Sequence, residues 1–306
     1  DCEINGHMTI QLSDNMRGAA YMSISMAAFV LNDTTMKLAA EHLSMFQAMF
    51  LRGIFTTVLL GALTAYNKAF VFRIPKADRK TLILRLIGEI GGTVCFLTAL
   101  FNMPIANATA ILQALPLAVT LAGALFLKEI VGWRRYLAIA VGFIGVLIIV
   151  RPGSDGFNEF SLWAVAAVFF IVLRDLATRQ LSPAIPSLFV SLLTSIAILL
   201  VGGMLSFTME WKPVTAEGLG LLSGAAVFVI FGYLFSVMAM RVGDISFSSP
   251  FRYTILLWAI ILGNVVFGDS PDQWTIFGSL IIVGSGVYTF YRERLMGRRG
   301  RSQAKS

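Results

Sequence analysis

Along this chain, apolar residues neither alternate nor mark one face of a helix. They run on in long blocks separated by short polar joints. A helix needs about 20 residues to cross roughly 30 Å of hydrocarbon, and blocks of that length recur along nearly the whole sequence. Hydropathy predicts ten spans, near 17–40, 45–67, 82–101, 105–127, 134–150, 161–179, 186–207, 216–240, 246–267 and 274–291. Many joints are shorter than ten residues, which leaves no room for a soluble catalytic domain. Composition agrees: 57% of residues are hydrophobic and 13% charged, against roughly 25% charged in a soluble domain. The expected fold is all-α, a polytopic membrane protein with ten transmembrane helices.

Charge then sets orientation. If the N-terminus is cytoplasmic, that side receives Arg17, the group Lys68–Lys80, Lys128, Arg134, Arg135, Arg179, Arg241 and the tail 292–306, while the other side receives only Arg151 and Lys212. This is the positive-inside distribution, and it predicts a multi-pass protein of the bacterial inner membrane with both termini cytoplasmic. The net charge of +7 is therefore a topology signal in contact with membrane lipid and no argument for nucleic acid. Two cysteines, Cys2 and Cys95, and two distant histidines, His7 and His42, imply no disulfide framework, metal site or cofactor. Residues 1–7, ahead of Met8, read as a non-native remnant within a leader of residues 1–16.

The two halves repeat. FVLNDTTMK at 29–37 returns as IVLRDLATR at 171–179, matching Asp33 with Asp175 and Lys37 with Arg179. Further on, Ala99 meets Ala239, Gly123 meets Gly263 and Glu129 meets Asp269. Units of residues 17–150 and 161–291 each hold five spans. Five is odd, so the second unit enters from the opposite side, giving inverted repeats of the kind that enclose a central site in secondary transporters.

Charges inside spans are expensive and need partners or a cavity. Depth pairs Arg52 with Asp33 and Arg252 with Asp175 or Asp244, as polar clusters bordering a pathway or as static ties between helices. Lys37 and Arg179, one turn beyond the aspartates, are predicted either to gate the two mouths or to neutralise their own motif's acid while snorkelling. Tyr253, beside Arg252, joins the candidates, as do Asn107 and Gln113, for substrate contact or helix-to-helix hydrogen bonding. Tyr21, Phe101 and Asn102 add stacking or polar groups, and Pro116 and Pro250 are expected to bend their helices. Arg85 and Glu89 read as a snorkelling pair, and Gly88 with Gly92, Gly142 with Gly145 and Gly284 with Gly286 as close helix contacts.

The stretch NMPIANATAILQALPLAVTLAGALFLKEIVGWRRYLAIAVGFIGVLIIVRPG from Asn102, with its Leu127-Lys128-Glu129 loop, resembles the fourth and fifth spans of EamA-type permeases in the drug/metabolite transporter superfamily. The stretch from Gly243 to Tyr288, with Pro250-Phe251-Arg252-Tyr253 and Phe267, Asp269, Pro271 and Asp272, resembles their ninth and tenth. This resemblance implies an inner-membrane carrier for a small-molecule substrate, as monomer or homodimer, with a cavity lined by the first, third, fourth, sixth, eighth and ninth helices. The PFRY segment is similar to that of S-adenosylmethionine uptake carriers and then of riboflavin carriers; amino-acid exporters share the fold. An enzyme would need a converging catalytic cluster, and none is legible. A channel would favour rings of like charge, whereas opposite charges sit here at two mouths.

Overall fold

The structure is a computed structural model describing residues 14–71, 74–128, 132–154, 157–182, 184–242 and 249–303. The expectations for the leader, for the loop acid Glu129 and for Asp244 fall on residues 1–13, 129–131 and 243–248, outside the described residues.

The first half contains α1 (Asp14–His42), α2 (Met45–Tyr66), α3 (Lys76–Asn102), α4 (Ile105–Leu112), α5 (Leu115–Phe126) and α6 (Trp133–Val150). The second contains α7 (Phe160–Gln180), α8 (Ser187–Ser206), α9 (Ala216–Arg241), a 3₁₀ turn (Ser249–Tyr253), α10 (Thr254–Phe267) and α11 (Gln273–Gln303). Helices α3, α4 and α8 each open directly behind a proline, Pro75, Pro104 and Pro186, where the missing N–H costs no helical bond. Thr215 caps α9, its Oγ1 accepting from the Gly218 amide at 3.1 Å. Helix α3 begins six residues before the hydropathic block because Asp78, in its first turn, accepts from the backbone N–H (3.1 Å) and Oγ (2.9 Å) of Ser182.

Among the described residues nine helical stretches are long and apolar enough to cross a membrane. Helix α1 is the tenth span; Asn32, Asp33, Thr34, Thr35 and Lys37 dilute its hydropathy. Phe207, Phe126, Val265 and Met204 are each more than 70% exposed, an apolar exterior that suits lipid and not water. Helix α11 continues to Gln303, so the basic run after residue 291 extends the last helix instead of forming a separate tail.

Each half is completed by the other. The most extensive packing joins α1 to α9, α3 to α7, α2 to α8 and α6 to α11, and α4 also lies against α10. Exchanging the first five spans for the last five maps this set of pairs onto itself. The same exchange holds for atoms: a Cβ on Gly91 would come within 2.5 Å of the Phe170 ring, and one on Gly232 within 2.8 Å of the Phe29 ring. Phe170 follows Phe29, and Gly232 follows Gly91, by the same 141 positions. The closest seam is α3 on α7, where a Cβ on Gly88 would lie 2.7 Å from both Arg174 N and Phe170 O. Without side-chain bulk there, two backbones touch, as small residues allow in apolar solvent.

Loops on one side also tie together. Gln47 Nε2 donates to the Lys212 carbonyl at 2.7 Å, and Arg151 pairs with Asp272. Asp78 and Ser182 meet on the other side, where the described chain begins and ends. Ten crossings in alternation account for every one of these contacts.

Candidate functional site

The fourth span is broken. Pro116 cannot donate to the Leu112 carbonyl, and the helix stops at Leu112 and restarts at Leu115. In the ninth span Pro250 lies within the 3₁₀ turn that precedes α10. The break at Pro116 is thus present as expected, and α4 packs against α10 beside it. Around these irregular segments opens a cavity of about 650 Å³, within the range that small-molecule sites occupy.

The cavity wall carries both signs of charge. Asp33 from α1 and Asp175 from α7 supply carboxylates; Arg135, Arg179 and Arg252 supply guanidinium groups. Thr109 and Gln113, one turn apart on α4, add a hydroxyl and an amide, and Phe29, Phe96 and Phe290 supply rings. Thr109 is 2% exposed with its hydroxyl unpartnered among the described residues, and Gln113 Nε2 donates to the Thr109 carbonyl at 3.3 Å. Thr178 and Arg179, at the end of α7, are exposed, so the cavity opens toward the side holding the two ends of the chain.

On the opposite side, contacts cross between the spans. Lys37 Nζ donates to the Met103 carbonyl at 2.6 Å, lies 3.7 Å from Asp269 Oδ2 and sits 5.0 Å above the centre of the Phe267 ring. One cation thus ties α1 to the ends of α3 and α10. Nearby, Arg151 holds Asp272 across the α6–α11 seam. Slight burial raises the Asp272 carboxyl, but hydrogen bonds from Thr275 and the Arg151 charge outweigh it and hold the group below the ordinary carboxylate range.

The structure brings Asp33, Gln113, Asp175, Arg179 and Arg252 to one cavity and places the other candidates elsewhere. Lys37 does not neutralise Asp33; its side chain extends past the last turns of α1 to Asp269. Arg52 meets Asp33 only through a neighbour: its Nη1 donates to Asn32 Oδ1 at 3.1 Å, and Asn32 Nδ2 donates to Asp33 Oδ1 at 2.9 Å. Arg252 and Asp175 share the wall without an ion pair between them. Asn107 lies off the cavity, its Oδ1 buried and unpartnered. Tyr253 is also off it, 6% exposed, with its hydroxyl against Gly286, where a Cβ would stand 1.7 Å away. Three residues per turn send Tyr253 about 120° away from Arg252, so it packs onto α11. Tyr21 packs against Phe235 with the rings tilted and their centres 5.9 Å apart, and Asn102 turns back to its own helix at Thr98.

Sequence reasoning passed over the centre of the bundle. Arg174 Nε and Nη2 both lie 2.9 Å from Asp175 Oδ1, and Nη1 reaches Glu89 Oε1 at 3.5 Å. Glu89 Oε2 stands 3.8 Å from Arg85, which donates in turn to Thr194. Arg85 and Glu89, expected to snorkel, instead have side chains only 12% and 13% exposed and belong to a four-charge cluster joining α3, α7 and α8. The available signal was a second charge beside Asp175 in an apolar run. Among the described residues no group of three or more His, Cys, Asp or Glu has the arrangement of a metal site.

The EamA-like transporter family matches this chain twice, over residues 16–151 and 160–291. An S-adenosylmethionine uptake transporter of Rickettsia prowazekii (strain Madrid E) is 25% identical, over 94% of this chain and 97% of its own length. A riboflavin transporter of Vibrio cholerae is 32% identical over 72% of this chain and 75% of its own. A pseudopaline exporter of Pseudomonas aeruginosa is 29% identical over 62% and 67%. One protein crystal structure superimposes with a TM-score of 0.59 at 18% identity, covering 89% of this chain and 96% of that one, a likeness of fold.

Proposed function

The chain belongs to the EamA-like transporter family, and from that premise we propose that it moves a small, polar, charged metabolite across the bacterial inner membrane by alternating access. S-adenosylmethionine is the first candidate substrate. The observation that carries this reading is a cavity open on one side only, with Asp33 and Asp175 set against Arg135, Arg179 and Arg252 on its wall. Such a wall suits a solute bearing both a cation and a carboxylate, because each charge meets its opposite as water is left behind. The positive-inside distribution makes the open side cytoplasmic. The resting state is then inward-facing, with the Lys37 contacts as the outer closure. A second reading, riboflavin carriage, is favoured by Phe29, Phe96 and Phe290 beside Gln113, rings and an amide that suit a flat heterocycle.

Counterflow tests both readings. Proteoliposomes preloaded with unlabelled S-adenosylmethionine take up the labelled compound without any ion gradient, and riboflavin run in parallel separates the two. Alternating access is tested with T109C in a background lacking Cys2 and Cys95. An impermeant thiol reagent labels it faster from the cytoplasmic side than from outside, and K37M raises the outside rate. Equal rates from the two sides before K37M is introduced would sink the inward-facing resting state, and an outside rate of zero that K37M does not raise would sink alternating access.

A further inference from the structure

The two cavity carboxylates are not held alike. Asp175 is gripped by the guanidinium of its own neighbour, with two nitrogens 2.9 Å from one oxygen. Glu89, behind the wall, sits between Arg85 and Arg174. Among the described residues Asp33 has no cation in contact; its hydrogen-bond donor is the Asn32 amide at 2.9 Å. Arg52 is held off at the far end of that amide, 3.1 Å from its oxygen. The amide's orientation follows from its neighbours, since a guanidinium only donates and a carboxylate accepts.

The groups facing this site can be named element by element. Arg52 comes from α2, and Tyr233 from α9 and Glu89 from α3 act on Arg52. Arg252 from the 3₁₀ turn, Arg135 from α6, and Asp175 and Arg179 from α7 share the cavity with Asp33. Lys37 lies one turn along α1 and is committed to Asp269 and the Met103 carbonyl. A carboxylate in a membrane interior without a contacting cation is costly in its charged form. It sheds that cost by taking a proton or by meeting a positive group that enters the cavity.

We propose that Asp33 is the coupling site of the carrier, occupied in turn by a proton and by the cationic centre of the solute. The two exclude each other, since a protonated carboxyl offers no charge to a cation and a cation displaces the proton to water. No bond other than O–H is made or broken. Coupling by exclusion makes proton and solute move in opposite directions, so net uptake proceeds by exchange against an outgoing cation or against a proton gradient directed outward. Asp175 and Glu89 are already engaged by Arg174 and Arg85, so Asp33 is the cavity carboxylate left for an entering cation.

This inference rests on the transporter reading but is tested separately from it. Purified protein in lipid is titrated between acid and alkaline pH without solute, and infrared difference spectra report protonated carboxyl groups. The 17 acids of the chain all contribute to the carboxyl band, so the expected result is one titrating component that is lost in D33N and kept in D175N and E89Q. Wild-type and D33N difference spectra that superimpose in the carboxyl region overturn the proposal. In proteoliposomes, an acidic interior drives accumulation of labelled S-adenosylmethionine above equilibrium by tenfold per unit of pH gradient if one proton exchanges for one net charge at zero membrane potential. Drive by an alkaline interior overturns the exchange mode. Counterflow at zero gradient decides independently whether S-adenosylmethionine is carried, and the infrared arm stands whatever that answer is.

Discussion

Two copies of one motif sit in unlike electrostatic surroundings. In the first, Asn32 stands before Asp33; in the second, Arg174 stands before Asp175. In both, the preceding side chain donates to the aspartate at 2.9 Å, so the geometry of the repeat is kept while its charge is not. Asn32 accepts from Arg52 on its other side, whereas Arg174 donates to Glu89. One substitution, amide for guanidinium, turns a fixed ion cluster into a carboxylate left to respond to what enters the cavity. Symmetry of the backbone thus coexists with a difference in pairing, one aspartate held by a cation and the other by an amide.

The widest break in this comparison comes from copying the first motif into the second. R174N leaves Glu89 and Asp175 in the bundle with Arg85 as the one remaining cation of the cluster, and stranding buried charge costs about 3–5 kcal/mol. We expect little folded protein in detergent by fluorescence size-exclusion. Recovery of wild-type yield would show that the cluster does not stabilise the fold.

A smaller effect separates two seams that the repeat relates. G88A places a methyl 2.7 Å from Arg174 N and Phe170 O, backbone atoms that cannot step aside, and overpacking of this kind costs about 1–3 kcal/mol. G232A places one 2.8 Å from the Phe29 ring, a side-chain end. Ring rotation and the better helix propensity of alanine, worth up to about 1 kcal/mol, leave it close to neutral. Melting temperatures in detergent should fall clearly for G88A alone; equal shifts would mean that both seams yield in the same way.

The smallest effect lies at the outer closure. Asp272 titrates below its ordinary value, 3.8, so the stability it lends is complete above that value and is lost as pH falls through the depressed one. Its side chain is 39% exposed, which limits the contribution to under about 1 kcal/mol after solvent screening. D272N should lower the melting temperature slightly at neutral pH and match the wild type in strong acid. A difference that grows on acidification would reverse the assignment.

The spans were legible because hydrocarbon thickness imposes a length on each apolar block. The repeat was legible because charges there are rare enough for an aspartate and a cation to stand out. Partners were less so. Spacing of four made Asp33 the natural mate of Lys37, yet the Lys37 side chain reaches a carbonyl and an acid more than sixty positions away, near its own helix end. Adjacency drew Tyr253 toward Arg252, and the 3₁₀ turn then sent the two apart. Asn32, which decides the character of Asp33, carries no charge to flag it. Its role emerges only when Arg52 from another helix arrives on its far side.

Because every span finds its principal neighbour in the opposite half, biogenesis has a waiting period. Glu89 leaves the ribosome 85 residues ahead of Arg174, a delay of roughly 4–17 s at about 5–20 residues per second. Throughout that interval the nascent first half must shelter Glu89, with Arg85 as its one partner, in lipid, in the translocon or behind an insertion chaperone. Two fragments divided between Val150 and Phe160 should accordingly be degraded when expressed singly and survive when expressed together.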